Sequence, residues 1–363
     1  MSADLEPHTA TAPSPAGARV DHGYRSVAFR LGRLSQLWSL RSVLVCTGIV
    51  LLTSVLGLIS LGIGTYELNP AEVIDALLGG GSEQARLLVV GWRLPRMLFA
   101  IACGVALAIS GAIFQSLTRN PLGSPDIIGF SAGSYTGAIV VMLLIGSTRY
   151  LDIAAGAIAG GCLTAFAVYL LAYRRGTVQP FRLIIMGIGI GALLGSLNSG
   201  LMLSVSVDSA MLAAVWSAGS LNGLSYAQLW PMLIVLSVLL VALAVLARPL
   251  QQLELGDDAA RSLGAHANAT RALAVVLGVA LTALVTAAAG PISFVALAAP
   301  QIARRLVRGQ GVMIVPAAFT GALLLLAADV VAQRIGFPVG VVTVSVGGGY
   351  LIWLLAAEFR RRR

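Results

Sequence analysis

The stretch 97-MLFAIACGVALAISGAIFQSLT-118 runs for 22 residues without one Asp, Glu, Lys or Arg. About 20 apolar residues cross the roughly 30 Å hydrocarbon layer as a helix, because a helix satisfies its own backbone hydrogen bonds where no water can. Working outward from this run, eight more charge-free stretches of 20 residues or longer follow: 42–66, 127–148, 153–173, 183–207, 209–247, 272–303, 309–328 and 335–357. One such run could be a buried core helix; nine in 363 residues cannot. Two are too long for one crossing. Gly290-Pro291 breaks 272–303 into two spans. Gly219, Asn222-Gly223 and Pro231 divide 209–247 into a short turn-rich or re-entrant piece and one full span. The reading is an all-α integral membrane protein of about ten transmembrane helices, near 42–62, 95–116, 127–147, 152–173, 181–205, 226–247, 269–289, 292–308, 312–333 and 339–358.

Composition agrees: 58% hydrophobic and 11% charged residues, against about 25% charged in a soluble domain. A net charge of +9 raises the question of nucleic acid, but all 24 basic residues are Arg and they fall between spans rather than in one patch. They set topology instead. With the amino terminus in the cytoplasm, only Arg86, Arg93, Arg96, Arg149 and Arg334 lie outside, leaving 19 inside. Both termini are therefore cytoplasmic. Residues 1–40, rich in Pro, Ala and Gly, are expected to be a disordered cytoplasmic segment ahead of a ten-helix transmembrane domain over 41–363. Cys46, Cys103 and Cys162 sit singly within spans, with no acid or His at ligand spacing, so no metal site is expected.

Glycines four apart, Gly156/Gly160 and Gly187/Gly191/Gly195, form flat strips that let helices approach closely in lipid. With Asn198 and Ser199, the second series makes 181–205 the candidate lining of a pathway: Gly187, Gly191, Gly195, Asn198 and Ser199. Three other features stand out. Arg93-Leu94-Pro95-Arg96 opens the second span on the outer side, with two arginines on one helical face suited to carboxylates of a soluble partner. Arg119-Asn120-Pro121 begins a tight cytoplasmic connection through Ser124-Pro125-Asp126 to Gly129. The largest cytoplasmic loop, 248–271, holds a helix under two turns long at 257–264, with Asp257 and Asp258 at its start and Gly264 as its stop. So short a helix makes sense if it docks on another protein.

These motifs together resemble the FecCD family, the permease subunits of type II ABC importers for ferric siderophores, haem and cobalamin. The matching residues are RLPR at 93–96, ALAISGAIFQ at 106–115, RNPLGSPDIIGFSAG at 119–133, LGDDAARSLG at 255–264, GPISFVALAAPQIAR at 290–304, AAD at 327–329 and FPVGVVTVSVGG at 337–348. The stretches 299–306 and 328–352 narrow the likeness to the second of two related subunits in importers of the enterobactin kind. Gly336-Phe337 depart from the acidic or polar residue and Leu usual before Pro-Val-Gly, and Gln333-Arg334 stand where relatives often carry Arg.

The resemblance implies a type II ABC importer permease fold in the cytoplasmic (inner) membrane, multi-pass. It implies a heterodimer with a second FecCD-type permease, two cytoplasmic ATPase subunits, an extracytoplasmic substrate-binding protein, and a ferric siderophore as cargo, with cobalamin or haem as alternatives. Gly256, Asp257, Asp258, Ala259, Ala260, Arg261 and Gly264 would contact the ATPase; Arg93, Arg96 and, as a substitute, Arg334 would meet the binding protein. The chain has no G-x-x-x-x-G-K-[ST] motif. It is therefore expected to be no enzyme and to bind no cofactor, with ATP and Mg²⁺ held by the ATPase subunits. The competing class is an ion-coupled secondary transporter, which usually carries an acid or His in mid-membrane. His8, His22 and His266 lie outside the spans, and Asp329 lies inside the ninth. A hydrogen bond from Asp329 to a neighbouring helix is the expectation, a proton relay the alternative.

Overall fold

A computed structural model describes residues 26–31, 34–64, 66–174, 177–309 and 311–361. The apolar runs fold as helices in the expected order: α1 (Leu40–Gly62), α3 (Glu83–Thr118), α4 (Phe130–Ile145), α5 (Tyr150–Ala172), α6 (Pro180–Leu203), α8 (Tyr226–Glu254), α10 (Ala267–Ala289), α11 (Val295–Val307), α12 (Ile314–Ile335) and α13 (Val339–Arg361). Between them lie α2 (Pro70–Leu77), α7 (Val207–Ser217), which opens the segment expected to be short and turn-rich or re-entrant, and α9 (Asp257–Ser262). Seven helices (α1, α3, α5, α6, α8, α10 and α12) are long and apolar enough to cross a membrane alone.

Two expected spans are shorter than anticipated, and the backbone shows why. α4 starts at Gly129 and stops at Gly146, both left-handed, and its last turns, Val140–Ile145, are π-helical. α11 has 13 residues, about 20 Å, because the chain reaches it through Gly290 (φ 74°) and a left-handed Phe294 (φ 69°). The expected disorder to residue 40 also needs correction. β1 (Ser26–Leu31) and β2 (Leu34–Ser39) pair antiparallel, Ser26 opposite Ser39; residues 1–25, 32 and 33 lie outside the described residues. A second, minimal hairpin joins β3 (Tyr173–Arg174) to β4 (Thr177–Val178).

α3 and α10 form the centre: 78% of the apolar window of each is buried within the protein, against 17% for α6. Glycine permits the closest crossings. A Cβ on Gly104 of α3 would strike the Gly321 backbone of α12, one on Gly111 the Ala296 carbonyl of α11. The Gly156/Gly160 strip packs within the chain, against Gly133 and Gly137 of α4. Polar side chains close the remaining gaps. Ser110 Oγ donates to the Gly278 carbonyl at 2.7 Å, and its oxygen lies 2.8 Å from Thr282 Oγ1, joining α3 to α10. Gln115 Nε2 donates to the Leu297 carbonyl at 3.0 Å, joining α3 to α11.

The break between α10 and α11 is repaired from elsewhere. Ser220 N–H donates to the Ala289 carbonyl at 2.8 Å, and Gly340 N–H to the Gly219 carbonyl at 3.0 Å. Asp126 reaches across to accept the Phe294 N–H at 3.3 Å while Ser131 Oγ donates to its other oxygen at 2.5 Å. A carboxylate from the α3–α4 loop thus caps the start of α11.

Candidate functional site

The charged residues gather at two opposite ends of the bundle. Arg96 and Gln115 mark them on α3; 19 residues of helix separate the two, about 28 Å, close to the hydrocarbon thickness.

At the cytoplasmic end α8 stops at Glu254, and Gly256 (φ 107°) turns the chain into the six residues of α9. The two acids that open α9 take opposite directions. Asp257 Oδ1 accepts Arg271 Nη2 of α10 at 2.8 Å, and Arg119 Nη2 lies 3.8 Å away. Asp258 is fully exposed and, among the described residues, pairs with Arg261 alone, at 3.5 Å along the same helix face. Ala260 is buried beside Leu253, Ala265 and Ala267, while Ala259 and Arg261 face solvent. Gly264 (φ 84°) ends the element, and Ala265 N–H returns to the Ala260 carbonyl at 2.9 Å. Of the predicted ATPase-contact residues, Asp258, Ala259 and Arg261 form the free face; Gly256 and Gly264 are turns, and Asp257 and Ala260, engaged within the chain, are corrected from contacts to anchors. Glu254 adds support that the sequence reading missed, accepting Ser116 Oγ at 3.1 Å and the Val312 N–H at 2.9 Å.

At the outer end the three predicted docking arginines differ. Arg96 turns inward. Its Nε and Nη2 grip Asp329 of α12 in a bidentate pair (2.8 Å at the shortest), and its Nη1 donates to Asn222 Oδ1. The Asp329 side chain is 1% exposed, and Gln333 Nε2 also donates to it, at 2.8 Å. Arg96 as an outward docking group is thus corrected to an internal tie. Its partner lies 233 residues away in the chain, which no local pattern could reveal. Arg93 is half-buried at the end of the π-helical stretch Leu87–Arg93, donating to the carbonyls of Leu61 at 2.7 Å and Tyr66 at 2.5 Å. Arg334 is exposed and pairs with exposed Glu67 at 3.2 Å.

The pathway candidates on α6 also separate. Gly187 and Gly191 are packing positions: a Cβ on Gly187 would strike the Ile128 carbonyl, and Gly191 abuts Gly129. Gly195 faces open space and Ser199 is exposed, its Oγ turned back to the Gly195 carbonyl at 3.0 Å. Asn198 is 4% exposed and its Oδ1 has no hydrogen-bond partner among the described residues. So Gly187 and Gly191 leave the candidate lining, and Gly195 and Ser199 remain on an open face. Among the described residues no group of His, Cys, Asp or Glu could hold a metal ion.

The geometry is that of a membrane-spanning helical bundle with charged groups at both ends and one short helix exposed beyond it. The chain belongs to the FecCD transport family, whose profile matches residues 52–357. It is 46% identical over 328 residues to the ferric enterobactin transport system permease protein FepG of Escherichia coli, covering 89% of this chain and 99% of that one. The iron(3+)-hydroxamate import system permease protein FhuG of Bacillus subtilis is 35% identical over 84% of this chain and 94% of its own length. Among solved structures, an inward-facing metal-chelate type ABC transporter superposes with a TM-score of 0.75 at 26% identity, covering 87% of this chain and 99% of that one. A FecCD permease is the membrane component of an ABC importer and works with ATPase and permease partners; this one is a multi-pass protein of the inner membrane.

Proposed function

We propose that this chain is one permease subunit of an ATP-driven importer that brings a ferric siderophore, a catecholate of the enterobactin kind, across the inner membrane. The observation that carries this reading is 46% identity to a ferric enterobactin permease over nearly its whole length. The chain binds no cofactor, ATP and Mg²⁺ belonging to two separate ATPase subunits. The free face of α9 (Asp258, Ala259 and Arg261) is their contact. A second FecCD-type subunit covers α6, whose Gly189, Gly195 and Gly200 have nothing within reach of a Cβ. A heterodimer suits the likeness to one member of a permease pair.

The alternative of ion coupling needs a carboxylate free to exchange protons. Asp329 does not suit that role, since both oxygens are engaged by Arg96 and one also by Gln333. The energy source separates the two classes. In proteoliposomes holding the full complex, uptake of labelled ferric enterobactin should stop with orthovanadate and survive a protonophore. The opposite pattern would overturn the ATP-driven reading, and preferred uptake of haem or cobalamin would overturn the cargo.

On the outer side, an extracytoplasmic binding protein is expected to meet Arg93 and Arg334. The exposed Arg334–Glu67 pair is worth under about 1 kcal/mol and is easily traded for a carboxylate on a partner. Arg93→Glu combined with Arg334→Glu should weaken association of the binding protein at least about tenfold, mainly in the on-rate, with the defect shrinking at high salt. Unchanged affinity at low salt removes these residues from the docking surface.

A further inference from the structure

We propose that Asp257 is a positioning residue that transmits motion of the ATPase partner into the membrane core, by tying α9 to α10 through Arg271 and to α3 through Arg119. This rests on the reading of α9 as the ATPase contact and specifies how a push on that helix is delivered.

The covalent route is a poor transmitter. α9 is six residues long, too short to be stable alone. It is joined to α8 through Gly256 (φ 107°) and to α10 through Gly264 (φ 84°), and a Cβ on either glycine would meet nothing. Both joints are conformationally permissive and uncrowded. A force on the outer face of α9 would be absorbed there if nothing else held the helix.

Asp257 supplies the stiff route. Its carboxylate receives the Arg271 guanidinium at 2.8 Å, and Arg271, in the second turn of α10, is 8% exposed, so its side chain has little room to yield. Arg119 approaches the same oxygen at 3.8 Å and donates to the Leu253 carbonyl at 3.2 Å, held in a left-handed conformation (φ 49°) at the end of α3. The two arginines therefore lead to α3 and α10, the most buried helices of the bundle. Asp258, its immediate neighbour, makes no contact of this kind and stays fully exposed. One acid faces the core and the other faces out, as a relay between an external partner and an internal frame requires.

The test uses the whole complex, with both permeases, the ATPases and the binding protein, in proteoliposomes, and reads cargo imported per ATP hydrolysed. Asp257→Asn keeps the side-chain shape and removes the charge. It should leave ATPase copurification and the rate of hydrolysis within twofold of wild type while imported cargo per ATP falls at least tenfold. A ratio within twofold of wild type overturns the proposal, and so does loss of ATPase copurification, which would make Asp257 part of the docking face. If Asp257→Asn fails to reach the membrane, Arg119→Gln takes its place, since that side chain is 58% exposed; a fall of at least threefold is expected, and none overturns the proposal. The underlying reading is tested separately by Asp258→Arg with Gly264→Val. Copurification and uptake unchanged in that double variant would sink α9 as the ATPase contact. Copurification lost there but the ratio unmoved in Asp257→Asn would sink only the relay.

Discussion

Gly104→Leu should lower the melting temperature of the detergent-solubilised protein by roughly 4 °C, from an overpacking cost of about 3 kcal/mol. α3 and α12 cross where Gly104 and Gly321 face one another, and even a single carbon on Gly104 would overlap the Gly321 carbonyl. The backbone of α12 cannot step aside cheaply, because the Arg96–Asp329 pair ties it to α3 further along. Forcing the helices apart therefore also forfeits the close packing that holds them together in lipid. Gly189→Leu is the control, since nothing lies within reach of a Cβ there. Equal melting temperatures for the two variants would remove the argument for a glycine-dependent crossing.

Asp329→Ala should cost about 3 kcal/mol or more, because it strands the Arg96 guanidinium at a site where its side chain is only 21% exposed. Asn222 and the remaining exposure soften the loss without replacing the bidentate partner. Removing both charges tells more than removing one. Arg96→Leu with Asp329→Leu should recover most of the stability lost in Asp329→Ala, since a buried ion pair stabilises little beyond an apolar pair of similar size. A double variant as unstable as the sum of the two single leucine substitutions would mean that the residues do not act as a pair. Because Arg96 serves inside the protein, its reversal to Glu should cost stability; reversal of Arg334 should cost partner affinity, and reversal of Arg93, which also gives up its bonds to the Leu61 and Tyr66 carbonyls, should cost both.

What could be read from the sequence followed what is local. A run without charge needs no distant partner to be recognised, so all ten expected spans have a helix, and a short separate helix, α7, precedes the span that starts at residue 226. The acid pair and terminal glycine of 257–264 likewise announced α9, since capping and turn chemistry act within a few residues. The lengths of α4 and α11 were not legible, because they are set by left-handed residues, including a Phe whose conformation depends on a carboxylate 168 residues earlier. Arg96 failed for the same reason. In the sequence it is one of two arginines on a helical face; in the fold, Asp329 claims it. The regular spacing of Gly187, Gly191 and Gly195 could not show that the first two meet the 128–129 backbone while the third meets nothing.

The mended gap between α10 and α11 constrains how the protein is made. Buried away from water, an unpaired backbone group costs about 1–3 kcal/mol. The Ala289 carbonyl depends on Ser220, synthesised 69 residues earlier, and the Gly219 carbonyl depends on Gly340, synthesised 121 residues later. Segments that emerge from the ribosome one after another must therefore wait for each other beside the insertion machinery before lipid closes round them. Nascent chains halted before Gly340 should be held there, or passed to quality-control proteolysis, while those extended past it are released.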